Sequence, residues 1–226
     1  MKKSFIASAA MLLTASLLTG CVIHVGNASA LEGSSFSSIL GNIDIAEGKH
    51  AGDISSVNGN VEIGDNGGAD EVSIVNGNLE MGNHVSVRNI RNIDIVNGDV
   101  SAASHLNVLN DIETVNGNVT LPTQSIIGGS VETVNGDITG VDTTIKQHIE
   151  TLNGDITLSG SSHVLGDIIY NETEKSWGNT SDSKPTLSIS ASVIVDGNII
   201  LKRPVNLDLE NDALKQKVVV SYTGAQ

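Results

Sequence analysis

The chain is almost without aromatic side chains: two Phe, two Tyr and one Trp make up 2% of its 226 residues. A core of large rings is excluded, and packing falls to Val, Ile and Leu, which suit strands. A single cysteine, Cys21, rules out an internal disulfide. Positive charge is scarce as well, 12 Lys and Arg against 26 Asp and Glu. That makes nucleic acid an unfit partner, because phosphate contacts require basic clusters. Beyond the first twenty residues, no run of about 20 apolar residues offers a membrane-spanning helix. Proline is rare at 3, whereas glycine is plentiful at 24.

What is present begins with Lys2 and Lys3, an apolar run from Phe5 to Leu18, and then Thr19-Gly20-Cys21. That is the layout of an export signal, so residues 1–20 are expected to be removed. Without Lys2 and Lys3 the remainder carries 10 basic and 26 acidic residues, a net charge of −16. Leu17-Leu18-Thr19-Gly20-Cys21 resembles the lipobox of bacterial lipoproteins, which implies that Cys21 is acylated and that the membrane is a partner through this anchor. The alternative is an incidental cysteine at the end of an ordinary signal peptide. Each buried methylene contributes ~0.8 kcal/mol, so several acyl chains on one residue hold lastingly. In the rule this resemblance carries, only an acidic residue after the cysteine favours the inner membrane. Val22 stands there, which implies the outer membrane of the cell envelope. Residues 21–35 are expected to form a lipidated tether.

The body of the chain repeats itself. Asn-Gly recurs at Asn58-Gly59, Asn76-Gly77, Asn97-Gly98, Asn116-Gly117, Asn135-Gly136 and Asn153-Gly154, with spacings of 18, 21, 19, 19 and 18 residues. Asp196-Gly197 reads as a seventh copy, Leu40-Gly41-Asn42-Ile43 as a hidden one, and Gly166 to Ile169 as a degraded one that puts Glu172 in the Asn position. A near-constant period is the signature of stacked architectures. Apolar residues fall in columns: Ile54, Val72, Ile93, Ile112, Val131 and Ile149 four before the Asn; Val57, Val75, Val96, Val115, Val134 and Leu152 one before it; Val61, Leu79, Val100, Val119, Ile138 and Ile156 three after it. Coils stacked at ~4.8 Å would turn each column into a core ridge. The expected fold is all-β, a single-stranded parallel β-helix (β-solenoid) of about nine rungs of 18–21 residues, spanning residues 36–226. A polar insertion at 171–185 and a C-terminal cap at 202–226 are expected to interrupt it. The runner-up is a meander in which Asn-Gly makes hairpin turns, but no second turn signal of similar strength lies between the copies. In a solenoid the same pair makes a corner, Gly supplying positive φ and successive Asn amides bonding up the stack.

The words Ser56-Val57-Asn58-Gly59-Asn60-Val61, Ile95-Val96-Asn97-Gly98-Asp99-Val100 and Thr133-Val134-Asn135-Gly136-Asp137-Ile138 resemble exported bacterial β-strand-repeat proteins grouped under the label adhesin. The likeness runs from about Phe36 to Tyr222. It implies a right-handed single-stranded β-helix exposed on the cell envelope, with no characterised catalytic residue. Bactofilins, cytoplasmic β-helices with short rungs, are a nearby alternative against which the export signal argues.

Candidate site residues follow from the columns. Three before the Asn stand Asp94, Glu113, Glu132 and Glu150 on consecutive rungs. They read either as a solvated face that keeps the rod soluble or as a site for divalent cations or a cationic partner. Calcium asks for six to eight converging oxygens, more than one straight column offers. Asn60, Asn78, Asp99, Asn118, Asp137 and Asp155 read as corner chemistry. His84, His105 and His163 lack a clear third ligand, and no metal or other cofactor is expected. Tyr170 and Trp177 flank the insertion and could make a small binding spot. Three function classes are thereby framed. The first is a lipid-anchored envelope solenoid with a non-catalytic binding, adhesion-like or scaffold role toward an unidentified protein or glycan. The second is a polysaccharide-active enzyme, for which no catalytic set has recognisable spacing. The third is an envelope sensor or cation-binding element.

Overall fold

In a computed structural model the described residues are 22–25, 28–29, 33–87, 92–172 and 184–222. Cys21, Trp177 and most of the polar insertion lie outside them. The chain is a parallel β-solenoid: three sheets run its length, with 11, 10 and seven strands. One coil runs through Ile112–Asn116 in the first sheet, Val119–Leu121 in the second and Ile126–Ile127 in the third. The next coil repeats it with Val131–Asn135 stacked on Ile112–Asn116. All strand pairings are parallel, so Asn-Gly does not turn hairpins.

Alternation decides what is inside. The columns four before and three after the Asn are sealed, with Ile112, Val131, Ile149, Val119, Ile138 and Ile156 all 0% exposed. The column one before the Asn, expected to be core, is not: Val57, Val75, Val96, Val115, Val134 and Leu152 are half-buried on the outer surface. A strand has a period of two, so the inward partner of the fourth residue before the Asn is the second. That place belongs to Ser56, Ile74, Ile95, Thr114, Thr133 and Thr151, all buried. Thr114 Oγ1 satisfies itself on the Gly117 carbonyl and Thr133 Oγ1, at 3.0 and 2.9 Å. Fully burying a Val or Ile contributes about 1.5–3 kcal/mol, so these columns hold the rod together.

Each corner has its own device. At the Asn-Gly corner, Asn Nδ2 of each rung donates to Asn Oδ1 of the rung before, from Asn76 on Asn58 at 3.1 Å to Asn153 on Asn135 at 2.9 Å. Closeness requires the glycines all along this corner: a Cβ on Gly59, Gly77, Gly98, Gly117, Gly136 or Gly154 would collide with the glycine carbonyl one rung back, and Gly77 and Gly98 also have positive φ, 153° and 155°. The next corner is left-handed in every one of these rungs: Gly48, Asn66, His84, His105, Gln124, Asp142 and Gly160 have φ of 48–68°.

Three boundaries differ from expectation. Asp196 and Gly197 are not on the Asn ladder. Ile199 stacks on Ile168 and Ile149, which puts Arg203 in line with Asn153, and Asp196-Gly197 turns the corner from the third sheet to the first. Its likeness to the other copies is a two-residue coincidence, because glycine is needed there to clear Gly166. The expected tether carries Val22–Val25 and Ala28–Ser29, which pair with Phe36–Leu40 and Ile43–Ile45; an apolar run beside an open edge strand extends the sheet. Within the expected cap, Asn206–Leu209 still adds to the second sheet and Val218–Val220 to the first. A short helix, Asp212–Lys215, stands between them, capped by the Asn211 side chain accepting from Ala213 N at 3.0 Å.

Candidate functional site

The register brings Asp94, Glu113, Glu132 and Glu150 into direct succession on the outer face of the first sheet. Val96, Val115, Val134 and Leu152, one residue before each Asn, flank them on one side, and Asp111, Ser130 and His148 lie on the other. The column is half-buried rather than freely solvated, because each side chain is covered by its neighbours above and below. Burial pushes Asp94 up to about 7, aided by Glu113, Glu71 and Asp111. Glu132 is likewise raised to about 7, by burial first and then by Glu113, Glu150 and Asp111. Glu113 is raised by burial and by Asp111. Two members of the column are tied down: Asn92 Nδ2 donates to Glu113 at 3.5 Å, and Asn171 Nδ2 donates to Glu150 at the column's end. Chemically, Asp94 and Glu132 are carboxyl groups that take up protons near neutrality. Among the described residues, no three His, Cys, Asp or Glu side chains converge as metal ligands.

The other candidate columns are committed to the stack. Asn60, Asn78, Asp99, Asn118, Asp137 and Asp155 each offer Oδ1 to a backbone N–H one rung up, at 2.7–3.0 Å. An equivalent column at the third corner was not read from the sequence. Asp111 Oδ1 accepts from Ser130 N at 2.7 Å, His148 Nδ1 from Asp167 N at 2.9 Å, and Asp167 Oδ1 from Asn198 N at 2.8 Å. Its signal was there, a polar residue just before each apolar strand, but the residue type changes from rung to rung. Arg203 was missed too; its guanidinium closes the top of the ladder by donating to Leu152 O and Asn153 Oδ1.

The histidines divide. His84 and His105 occupy the left-handed corner, which histidine tolerates better than most residues. Their rings stack at 4.1 Å with planes tilted by 36°. His163 stands in the third sheet, where its Nε2 lies 2.8 Å from Asp196 Oδ2. Tyr170 makes no surface binding spot, because it is 0% exposed and its hydroxyl donates to Thr186 O at 3.0 Å. Comparison with family models, characterised proteins and solved structures finds no match for this chain.

Proposed function

We propose that this chain is a lipid-anchored β-solenoid of the bacterial cell envelope with a non-catalytic binding or scaffold role. One observation carries the reading: the polar side chains that recur from coil to coil are turned along the rod axis onto the next rung. Chemistry-bearing groups are thereby used to stiffen a surface. The surface that results is a flat ribbon of valines and carboxyl groups along the first sheet. Because strand pairing starts at Val22, acylated Cys21 would set the rod almost directly on the bilayer, with the far end free. Labelling with radioactive palmitate tests the anchor: the wild-type chain takes up label and sediments with membranes, and Cys21→Ser does neither. Label on the serine variant, or membrane retention without it, would overturn the anchor. Affinity capture from intact envelopes, with Cys21→Ser as control, then reads the partner.

The raised carboxyls of Asp94, Glu113 and Glu132 favour a second reading, an envelope sensor that responds to protons or cations. Calcium supports the cation form if it raises the melting temperature of the wild-type chain and not that of Glu113→Gln. An equal response of both chains removes it.

A further inference from the structure

We infer that the end of the rod remote from Cys21 is a self-docking surface on which two copies meet across a two-fold axis. The inference names the partner in the binding role proposed above and rests on that reading only for placing this end away from the membrane.

Among the described residues, the two longer sheets finish on open edges. Val218–Val220 is the last strand of the first sheet and Asn206–Leu209 the last of the second. Among the described residues each pairs on one side, with Ile199–Leu201 and Thr186–Ile189 respectively. The third sheet ends differently. Lys217 Nζ donates to the carbonyls of Val195 and Asp196 at 2.5 and 2.9 Å, and helix Asp212–Lys215 follows with Leu214 only 4% exposed. One edge is thus protected and two are left bare.

The bare edges expose core columns. Leu207 extends the column of Ile156 and Leu187, both 0% exposed, yet is itself 42% exposed. Val220 extends the column of Tyr170 and Leu201 and is 46% exposed. Beside it, Val219 points outward and is also 46% exposed. Three consecutive valines without proline or charge form an edge that pairs readily with another strand, and solenoids ordinarily close such an end with polar capping residues.

Charge selects a second copy as the occupant. Residues 21–174 carry 21 acidic and 4 basic side chains, so the flanks of two rods repel. From Ile199 to Tyr222 the balance reverses, with Lys202, Arg203, Lys215 and Lys217 against Asp208, Glu210 and Asp212. A two-fold axis across the rod, through the middle of the first sheet, lays Val218–Val220 antiparallel on its counterpart. The same operation exchanges the second and third sides. Asp208 and Glu210 of one copy then face the helix of the other, where Lys215, held on Asp212 of its own helix at 2.6 Å, can turn to them across the open second-sheet edge.

Sedimentation equilibrium of the full chain carrying Cys21→Ser, so that no acyl chain drives association, tests this. A concentration-dependent dimer is expected. Val219→Lys, which places two lysines face to face, should weaken it about tenfold or more. Asp208→Lys and Lys215→Asp should each weaken it, and together restore it. These two positions are exposed, so they keep the test decisive if Val219→Lys disturbs folding. A chain that stays monomeric, a dimer indifferent to Val219→Lys, or a charge swap that fails to restore association would overturn the proposal. None of these outcomes depends on whether Cys21 is acylated.

Discussion

At Gly117 the chain has no room for a methyl group, since a Cβ there would overlap the Gly98 carbonyl. Asn116 beside it makes two ladder bonds, to Asn97 at 2.8 Å and from Asn135 at 2.9 Å. The ladder is the conspicuous feature, but magnitudes favour the glycine. Exposed amide bonds contribute about 0.5–1.5 kcal/mol each at most, and water replaces them when Asn116 is cut to Ala. A methyl forced between stacked backbones costs about 1–3 kcal/mol, with more to follow if the rungs separate. Gly117→Ala is therefore expected to lower stability more than Asn116→Ala in urea unfolding; the reverse order would mean that the amides hold the corner. The left-handed corner offers the opposite experiment. Gln124 has φ of 63°, a conformation that costs a side-chain-bearing residue about 1–2 kcal/mol. Glycine escapes that penalty but adds about 0.5–1 kcal/mol of chain entropy. Gln124→Gly should accordingly be neutral or stabilising by up to about 1 kcal/mol, and a clear loss of stability would show that the Gln side chain has a structural task of its own.

Within the first sheet, the carboxyl column makes stability depend on pH. Asp94 and Glu132 titrate at about 7 in the fold, against about 4 in an unfolded chain. The folded chain then holds more protons than the unfolded one between about pH 4 and 7, so stability falls as pH rises through that window. The favourable contribution is complete below about pH 4 and gone above about pH 7. Glu71, Asp111, Glu113 and Glu150, which raise these groups, are all acids. Melting temperature should therefore drop across this range, and Glu132→Gln should flatten the drop and raise the value at pH 8. An unchanged profile for Glu132→Gln would remove the column as its source. The sequence reveals the column because one residue type recurs at one spacing, and the sealed ridges of Ile112 and Val119 for the same reason. It misleads at Val115, which looks like core and lies outside, while Thr114 looks like surface and lies inside. Hydrophobicity speaks louder than alternation there, yet a strand can bury only every second residue, and threonine is bearable inside because the Gly117 carbonyl is within reach. The left-handed corner was illegible, since Gly48, Asn66, His84 and Gln124 share a backbone angle and no chemistry. Asp196-Gly197 deceived in the opposite way, sharing the words without the position.

Across the whole molecule, each coil touches only the coils above and below it, so stability is a sum of rung terms and interface terms rather than the property of one central core. The middle rungs have a neighbour on both faces. Among the described residues the last ones do not, as Leu207 at 42% exposed shows against Leu187 at 0%. Opening free energy should therefore be graded along the rod. Native-state hydrogen exchange of the Cys21→Ser chain is expected to protect the amides of Ile112 to Leu158 most, with protection declining toward Val218–Val220. A lesion in the centre should spread: Gly117→Ala is expected to cut protection of its own rung and of the rungs holding Gly98 and Gly136, and to leave the Leu187 rung nearly unchanged. If protection fell equally in every rung, the chain would unfold as one unit and the nearest-neighbour account would be wrong. If it fell only at Gly117, the rungs would be uncoupled, which the shared columns of Ile112, Val131 and Ile149 argue against, because removing support from one exposes the faces of the two that adjoin it.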